Sequence, residues 1–177
     1  MRNNKTQGFT LLELVVTMAI AAALITLAAP SIRRTIQDGH MKSDMSELSA
    51  SLAFARNEAV RLNLRVIVCR STDGVTCANA EDWAAGWIVI TDANADGTFQ
   101  NNFDELLRVM SPLSADFRLT KSDALAITYD ASGGSAATTL TLCDARRDDE
   151  REYQLSISAT GHVRSKRLNA NDNDYVC

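Results

Sequence analysis

The chain of 177 residues carries 18 lysines and arginines against 22 aspartates and glutamates, with 46% hydrophobic and 23% charged residues. That length gives one domain of ordinary size with one extra element, and the balance excludes wholesale disorder, a multi-span membrane protein and a general nucleic-acid coat. Four cysteines without a CxxC pair, and only two histidines, His40 and His162, argue against a zinc centre and for disulfides.

Residues 14–32 are nineteen consecutive uncharged positions, rich in Ala, Leu, Ile and Val. As a helix rising about 1.5 Å per residue they cover roughly 28 Å, so the run predicts a membrane-spanning helix. Arg2 and Lys5 precede it and the first acid is Glu13. This asymmetry keeps the N-terminus cytoplasmic and carries everything after Pro30 across the membrane. A secretory signal needs a small-x-small cleavage site, which Ala28-Ala29-Pro30 offers only loosely. A carboxylate near the start of an apolar span costs a few kcal/mol, which suits a residue with a partner and not a disposable leader.

Gly8-Phe9-Thr10-Leu11-Leu12-Glu13-Leu14, after a short basic leader and ahead of an apolar helix, resembles the type IV prepilin motif. The resemblance implies that a membrane-embedded prepilin peptidase cuts between Gly8 and Phe9 and methylates the new amine of Phe9. It also implies that Glu13 pairs with the N-terminal amine of a neighbouring subunit during filament assembly, as buried charges in hydrocarbon require. Pro30 matches a proline the family places in this helix, where the missing N–H gives a kink or local melting. The resulting plan is a leader over 1–8, a transmembrane half-helix over 9–36 and a head over 37–177. The head lies on the periplasmic side of a bacterial inner membrane and is extracellular once assembled in a pilus.

Beyond Pro30, Met41, Met45, Leu48, Leu52, Ala55, Ala59 and Leu62 recur at spacings of three and four, which is one face of a helix. Lys42, Asp44, Glu47, Arg56, Glu58 and Arg61 lie off that stripe, and Gly39 is a second weak point between the two halves. After Leu62 the pattern turns to short β-rich runs at 65–70, 86–91, 106–111, 117–119, 125–129, 138–144, 153–158 and 162–166. Leu140 with Leu142 and Leu155 with Ile157 alternate, predicting strands with one face packed and one wet. The expected fold class is α+β, a long N-terminal helix packed on an antiparallel sheet or small two-sheet sandwich.

The strand-rich head, with Trp83-Ala84-Ala85-Gly86-Trp87-Ile88-Val89-Ile90-Thr91-Asp92, then Asn94, Asp96 and Gly97, then Glu105-Leu106-Leu107-Arg108, resembles the GspH/FimT group of minor pilins and pseudopilins. The resemblance implies a minor type IV pilin at the tip or initiation complex of a pilus. The alternative is a GspH-like pseudopilin of a type II secretion machine. The implied partners are other major and minor pilins or pseudopilins, the prepilin peptidase and the inner membrane. No GxSxG, Walker, GxGxxG or HExxH motif occurs, so neither an enzyme nor a cofactor is expected.

Asp92, Asn94, Asp96 and Gly97 copy the first half of a calcium-binding EF-hand loop, but Phe103 stands where the bidentate glutamate belongs. Turn capping is the expectation here and no metal is assigned, with Glu81, Asp82, Asp104 or Glu105 as the acids that would complete a site in space. Four cysteines allow three pairings. Ser71-Thr72-Asp73-Gly74 is a turn-forming run that favours Cys69 with Cys77, leaving Cys143 with Cys177. In the tail, Gly161-His162-Val163-Arg164-Ser165-Lys166-Arg167 carries three fixed positive charges and no acid. As a strand it sends His162, Arg164 and Lys166 to one face. It resembles the glycine-arginine-x-arginine motif with which FimT-type proteins bind double-stranded DNA during natural transformation, with His162 in place of the first arginine. An edge strand charged against aggregation is the other reading of the same residues.

Cleavage between Gly8 and Phe9 is checked by intact-mass spectrometry of the membrane form. The expected mature chain begins at Phe9 with one added methyl group, whereas a start near Pro30 identifies a secretory signal.

Overall fold

The computed structural model describes residues 10–78, 82–97, 99–100, 102–113, 117–121, 126–144 and 152–168, with the side chains of 27–31, 33 and 34 also left outside the description. The chain divides into two compact units, Met1–His40 and Met41–Cys177. Helix α1, Leu11–Leu62, contributes to both. It is helical through Pro30, where a kink or local melting is expected, and through Gly39, the second weak point, so no melting is seen at either position. A proline removes a single intrahelical donor, and the turns on either side keep the helical path.

In the first unit, Thr10 stands just before the helix and its Oγ1 accepts from the Glu13 backbone N–H at 3.2 Å. Downstream, large apolar side chains stand out on every side of the helix, among them Leu12 at 75% exposure, Met18 at 64% and Ile25 at 66%. Among the described residues, no helix is long and apolar enough to cross a membrane. The uncharged run 14–32 passes through 27–31, whose side chains lie outside the description.

The second unit is the head. Its strands are β1 Arg65–Arg70, β2 Trp87–Asp92, β3 Leu106–Met110, β4 Phe117–Lys121, β5 Ile127–Tyr129, β6 Thr138–Asp144, β7 Glu152–Ile157 and β8 Val163–Leu168. They form two antiparallel four-stranded sheets, in the orders β3-β2-β1-β5 and β4-β6-β7-β8. The stripe anticipated on the helix is its buried face: Leu48, Leu52, Ala55 and Ala59 are fully buried, and Met41 and Met45 nearly so. Only Leu62 stays half-buried, at the last turn. These residues share one core cluster with Val66, Val68, Trp87, Val89 and Tyr129 from the first sheet and with Leu119, Leu140, Leu142, Leu155 and Ile157 from the second. Small alanines late in the stripe let the backbone approach the strands, and burying each Leu is worth about 2 kcal/mol.

The expectation of one packed and one wet face holds only in part for the second sheet, where Leu140, Leu142, Leu155 and Ile157 turn to the helix but Thr141 and Cys143, on the outer face of β6, are buried as well. It fails for the centre of the first, since every residue of β2 is buried. Ile67, Cys69, Ile88 and Ile90 make a second cluster on the face away from the helix, closed over by Cys77, Phe99, Leu106 and Ala126. The Cys69–Cys77 disulfide, with Cα atoms 5.5 Å apart, pins one of the covering loops. Inside that loop the Asp73 carboxylate accepts from the Val75 and Thr76 N–H groups at 2.9 and 2.8 Å and from the Thr76 and Ser71 hydroxyls at 2.6 and 2.9 Å. These donors hold Asp73 far below the ordinary carboxylate range.

The loop makes two linked predictions. Removing the bridge by Cys69→Ser with Cys77→Ser costs about 2.6 kcal/mol by loop-closure entropy, read as a shift of the denaturation midpoint. The Asp73 contribution has the sign of a depressed carboxylate. It is present above the unfolded-state value near pH 4 and fades as pH falls through the lower folded-state value, so an acid titration of stability is shallower in Asp73→Asn than in wild type.

Candidate functional site

Two regions hold the residues that the sequence singles out. At the start of the chain, Gly8 and Phe9 lie outside the described residues, as does the Pro30 side chain. Glu13 is exposed in the first turn of α1, where the helix dipole favours a negative charge. Thr10 was not singled out from sequence, yet it caps this turn. The signal was legible as Thr-x-x-Glu ahead of an apolar run, the spacing of a capping box. Glu13 is thereby fixed at a defined place on the helix, three residues from the cap.

The second region is the end of the second sheet. Among the described residues β7 alone pairs with strand β8, which makes β8 an edge strand. Its register sets Arg164 opposite Ser156 and Lys166 opposite Gln154, on the face away from the helix. Val163, Ser165 and Arg167 stand opposite Ile157, Leu155 and Tyr153, on the helix side. Arg164, Lys166 and Arg167 are all exposed. His162 is also exposed but precedes the strand, so the expected three-residue alternation reduces to Arg164 with Lys166, and Arg167 belongs to the opposite face. The positive charges therefore line both sides of one sheet edge.

The turn before β8 is tightly made. The Ser158 N–H donates to the His162 carbonyl at 3.0 Å, the Gly161 N–H to the Ser158 carbonyl at 2.8 Å, and the His162 N–H to Ser158 Oγ at 3.2 Å. Gly161 has φ +74°, and a Cβ there would lie 2.0 Å from the Gly133 carbonyl oxygen. Glycine is required on both counts. That carbonyl also accepts from Arg56 Nε on the helix at 3.0 Å, and the Ser135 N–H donates to the Ala159 carbonyl at 3.2 Å. Helix, first-sheet loop and second-sheet turn meet at this point. The loop 130–134 is ordered by the Asp130 carboxylate, which accepts from Ser132 and Gly134 and is held below its usual range by those bonds.

The remaining candidates resolve as structure. Asp92, buried, accepts from the Asp96 N–H at 3.0 Å and the Gly97 N–H at 3.2 Å and lies 3.5 Å from Arg65 Nε. Asp104 accepts from the Ala93 and Gln100 N–H groups at 2.9 and 2.8 Å. Asn94 Nδ2 donates to Asp96 Oδ2 at 2.7 Å. The loop oxygens thus serve its own backbone and side chains, as turn capping requires. Among the described residues, no group of acids, histidines and cysteines forms a metal cage. Cys143, on the outer face of β6, is disulfide-bonded, and Cys177, its expected partner, lies outside the described residues.

With this geometry in view, the comparisons with known proteins are specific. The model of the family described as type II transport protein GspH matches residues 44–161, and that of the prokaryotic N-terminal methylation motif matches residues 3–29. Among curated proteins none matches the sequence. The type IV minor pilin FimU of Pseudomonas aeruginosa is similar in structure, with a TM-score of 0.58 and 23% identity over 73% of this chain and 90% of that one. The minor pseudopilin EpsH from the type 2 secretion system of Vibrio cholerae gives 0.52 and 14% identity over 75% of this chain and 99% of that one. These likenesses establish a pilin-like fold. The family match spans well over half of the chain, strands β1 to β7 included, and the chain belongs to the GspH family of minor pilins and pseudopilins.

Proposed function

We propose that this protein is a minor type IV pilin, made as a membrane-anchored precursor, cut at Gly8 and incorporated near the tip or initiation complex of a pilus. One observation carries the reading. The N-terminal stretch of α1 presents large apolar side chains all round, from Leu11 at 81% exposure to Ile36 at 54%, while the same helix from Met41 onward buries its stripe in the head. A helix apolar on every side has no stable place in water and fits first a bilayer and then the helices of neighbouring subunits. The methylation motif over residues 3–29 supports the same course, with Glu13 the counter-charge to a neighbour's amine. Two disulfide-bonded positions in the head, at Cys69 and Cys143, suit the periplasm and the cell exterior. The Cys143–Cys177 pairing is part of this proposal.

Replacing Glu13 by Ala leaves cleavage intact and lowers incorporation by about tenfold or more, because a neighbour's amine left without its counter-charge costs more than 1.4 kcal/mol. Quantifying the protein in sheared pili checks this. Equal amounts of mutant and wild type would remove the pairing. Recovery of the protein in a secretion assembly and not in pili would favour the pseudopilin alternative.

The finer part of the proposal is that the β8 edge binds double-stranded DNA for uptake through His162, Arg164, Lys166 and Arg167. Its support is the grouping of exposed cations on one sheet edge of a chain with net charge -4. About three neutralised phosphates give a log-log salt slope near -2.7, which falls to about -0.9 in Arg164→Gln with Lys166→Gln. Titration of a labelled duplex across salt concentrations measures it.

A further inference from the structure

Strand β8 leaves one row of backbone groups open. The Ser158 N–H donates to the His162 carbonyl at the turn, and the antiparallel register continues from that pair without a shift along all six residues of β8. Bonded pairs alternate along such a ladder, so Arg164, Lys166 and Leu168 turn their backbone groups to β7, while the N–H and C=O groups of Val163, Ser165 and Arg167 point away from the sheet. Among the described residues no strand pairs with that row. The opposite outer strand of the same sheet, β4, is by contrast bridged at Thr120 by Asp82. Beside the open row, on the helix side, lies a groove of about 400 Å³ between Ser46, Ser49, Ala50 and Ala53 of α1 and Tyr153 and Ser165 of the sheet. Ser46, Ala50 and Ala53 are small and exposed, so the helix-facing side chains of one further strand would come down over them. Charge narrows the occupant. Arg164 is exposed on the outer face, Arg167 is exposed on the helix side and Lys42 lines the groove, which makes the surroundings of the edge positive on both faces. A second copy of β8 paired antiparallel about Ser165 would set Arg164 opposite Lys166, a destabilising like-charge contact.

We propose that the β8 edge accepts an acidic extended segment of another polypeptide as a fifth, antiparallel strand, its backbone bonded to Val163, Ser165 and Arg167, its carboxylates on the Arg164 face and its apolar side chains in the groove. The cations of the edge then act as a filter, turning away a second copy and admitting a strand with acids at alternate positions. This surface uses the open ladder and the groove, which a duplex held by side-chain charge does not need, so it stands apart from the DNA reading above.

The probe is a capped, fluorescently labelled octapeptide of alternating valine and aspartate, titrated into the full chain in an uncharged detergent and read by anisotropy. Wild type binds it saturably at low salt. In the antiparallel seat the valines face the groove and turn their N–H groups to β8, so N-methylation of the valines weakens binding by about tenfold or more, whereas N-methylation of the aspartates, whose N–H groups face away, leaves it in place. Ser165→Pro removes an outward donor without touching a bond to β7 and lowers binding by a similar factor. Ala50→Glu, at an exposed helix position, fills the groove with a like charge and lowers it as well, which keeps the test decisive if the proline variant fails to fold. The strand is overturned if wild type does not bind the peptide at low salt, if the two methylated peptides bind alike or in the reverse order, or if Ala50→Glu binds as wild type does. Dimers of the wild-type chain that Ala50→Glu or Ser165→Pro dissolves would assign the edge to a second copy and overturn the acidic occupant.

Discussion

The head depends on the burial of one helical stripe between two sheets that do not otherwise share a strand. Leu48, Leu52, Ala55 and Ala59 belong with residues of both sheets to a single core cluster. Among the described residues each sheet has four strands, and a sheet must bury its apolar face against another element. The helix therefore serves as the common floor on which both are assembled. Arg56 and Phe54, on the same segment, extend this role to polar and aromatic contacts: Arg56 bonds the Gly133 carbonyl, and Arg108 lies 4.2 Å from the centre of the Phe54 ring. A helix committed so fully on one unit has its remaining apolar surface in the other, and this division underlies the assembly role.

Most of the architecture was legible because it rests on local patterns. The stripe from Met41 to Ala59 follows helical spacing, and the eight strands lie within two residues or so of the β-rich runs because turn residues such as Asp73, Asp130 and Gly161 punctuate them. The Cys69–Cys77 bridge followed from a turn-forming run between two cysteines. What escaped was long-range. Nothing in the run from Trp87 to Asp92 says that its outer face is covered, since the cover comes from Cys77 and Phe99 in separate loops. The fit of Gly161 against Gly133 joins positions 28 apart in sequence, with no periodicity to announce it.

The candidate site was legible in composition and less so in geometry. Three positive charges in seven residues marked the tail, but the strand begins one residue later than expected, so His162 stands in the turn before it. At the other end the reverse holds, because Thr10 carried a recognisable capping pattern that the stronger signal of Glu13 overshadowed. In both cases the charged residue was found and its neutral neighbour was missed. Charge stands out in a sequence, whereas the hydroxyls and glycines that place it are seen only through their hydrogen bonds.

The contact between Gly161 and the Gly133 carbonyl has an evolutionary consequence. It anchors the turn through backbone atoms, so the outward side chains beside it carry no packing duty. Exposed positions such as His162 and Arg164 can change in size and charge without disturbing the joint, while the glycines stay fixed. Related heads built on this joint can thus acquire new surface chemistry by substitution at a few tolerant positions, without renegotiating the core. The joint separates the residues that selection must preserve from those on which it can experiment.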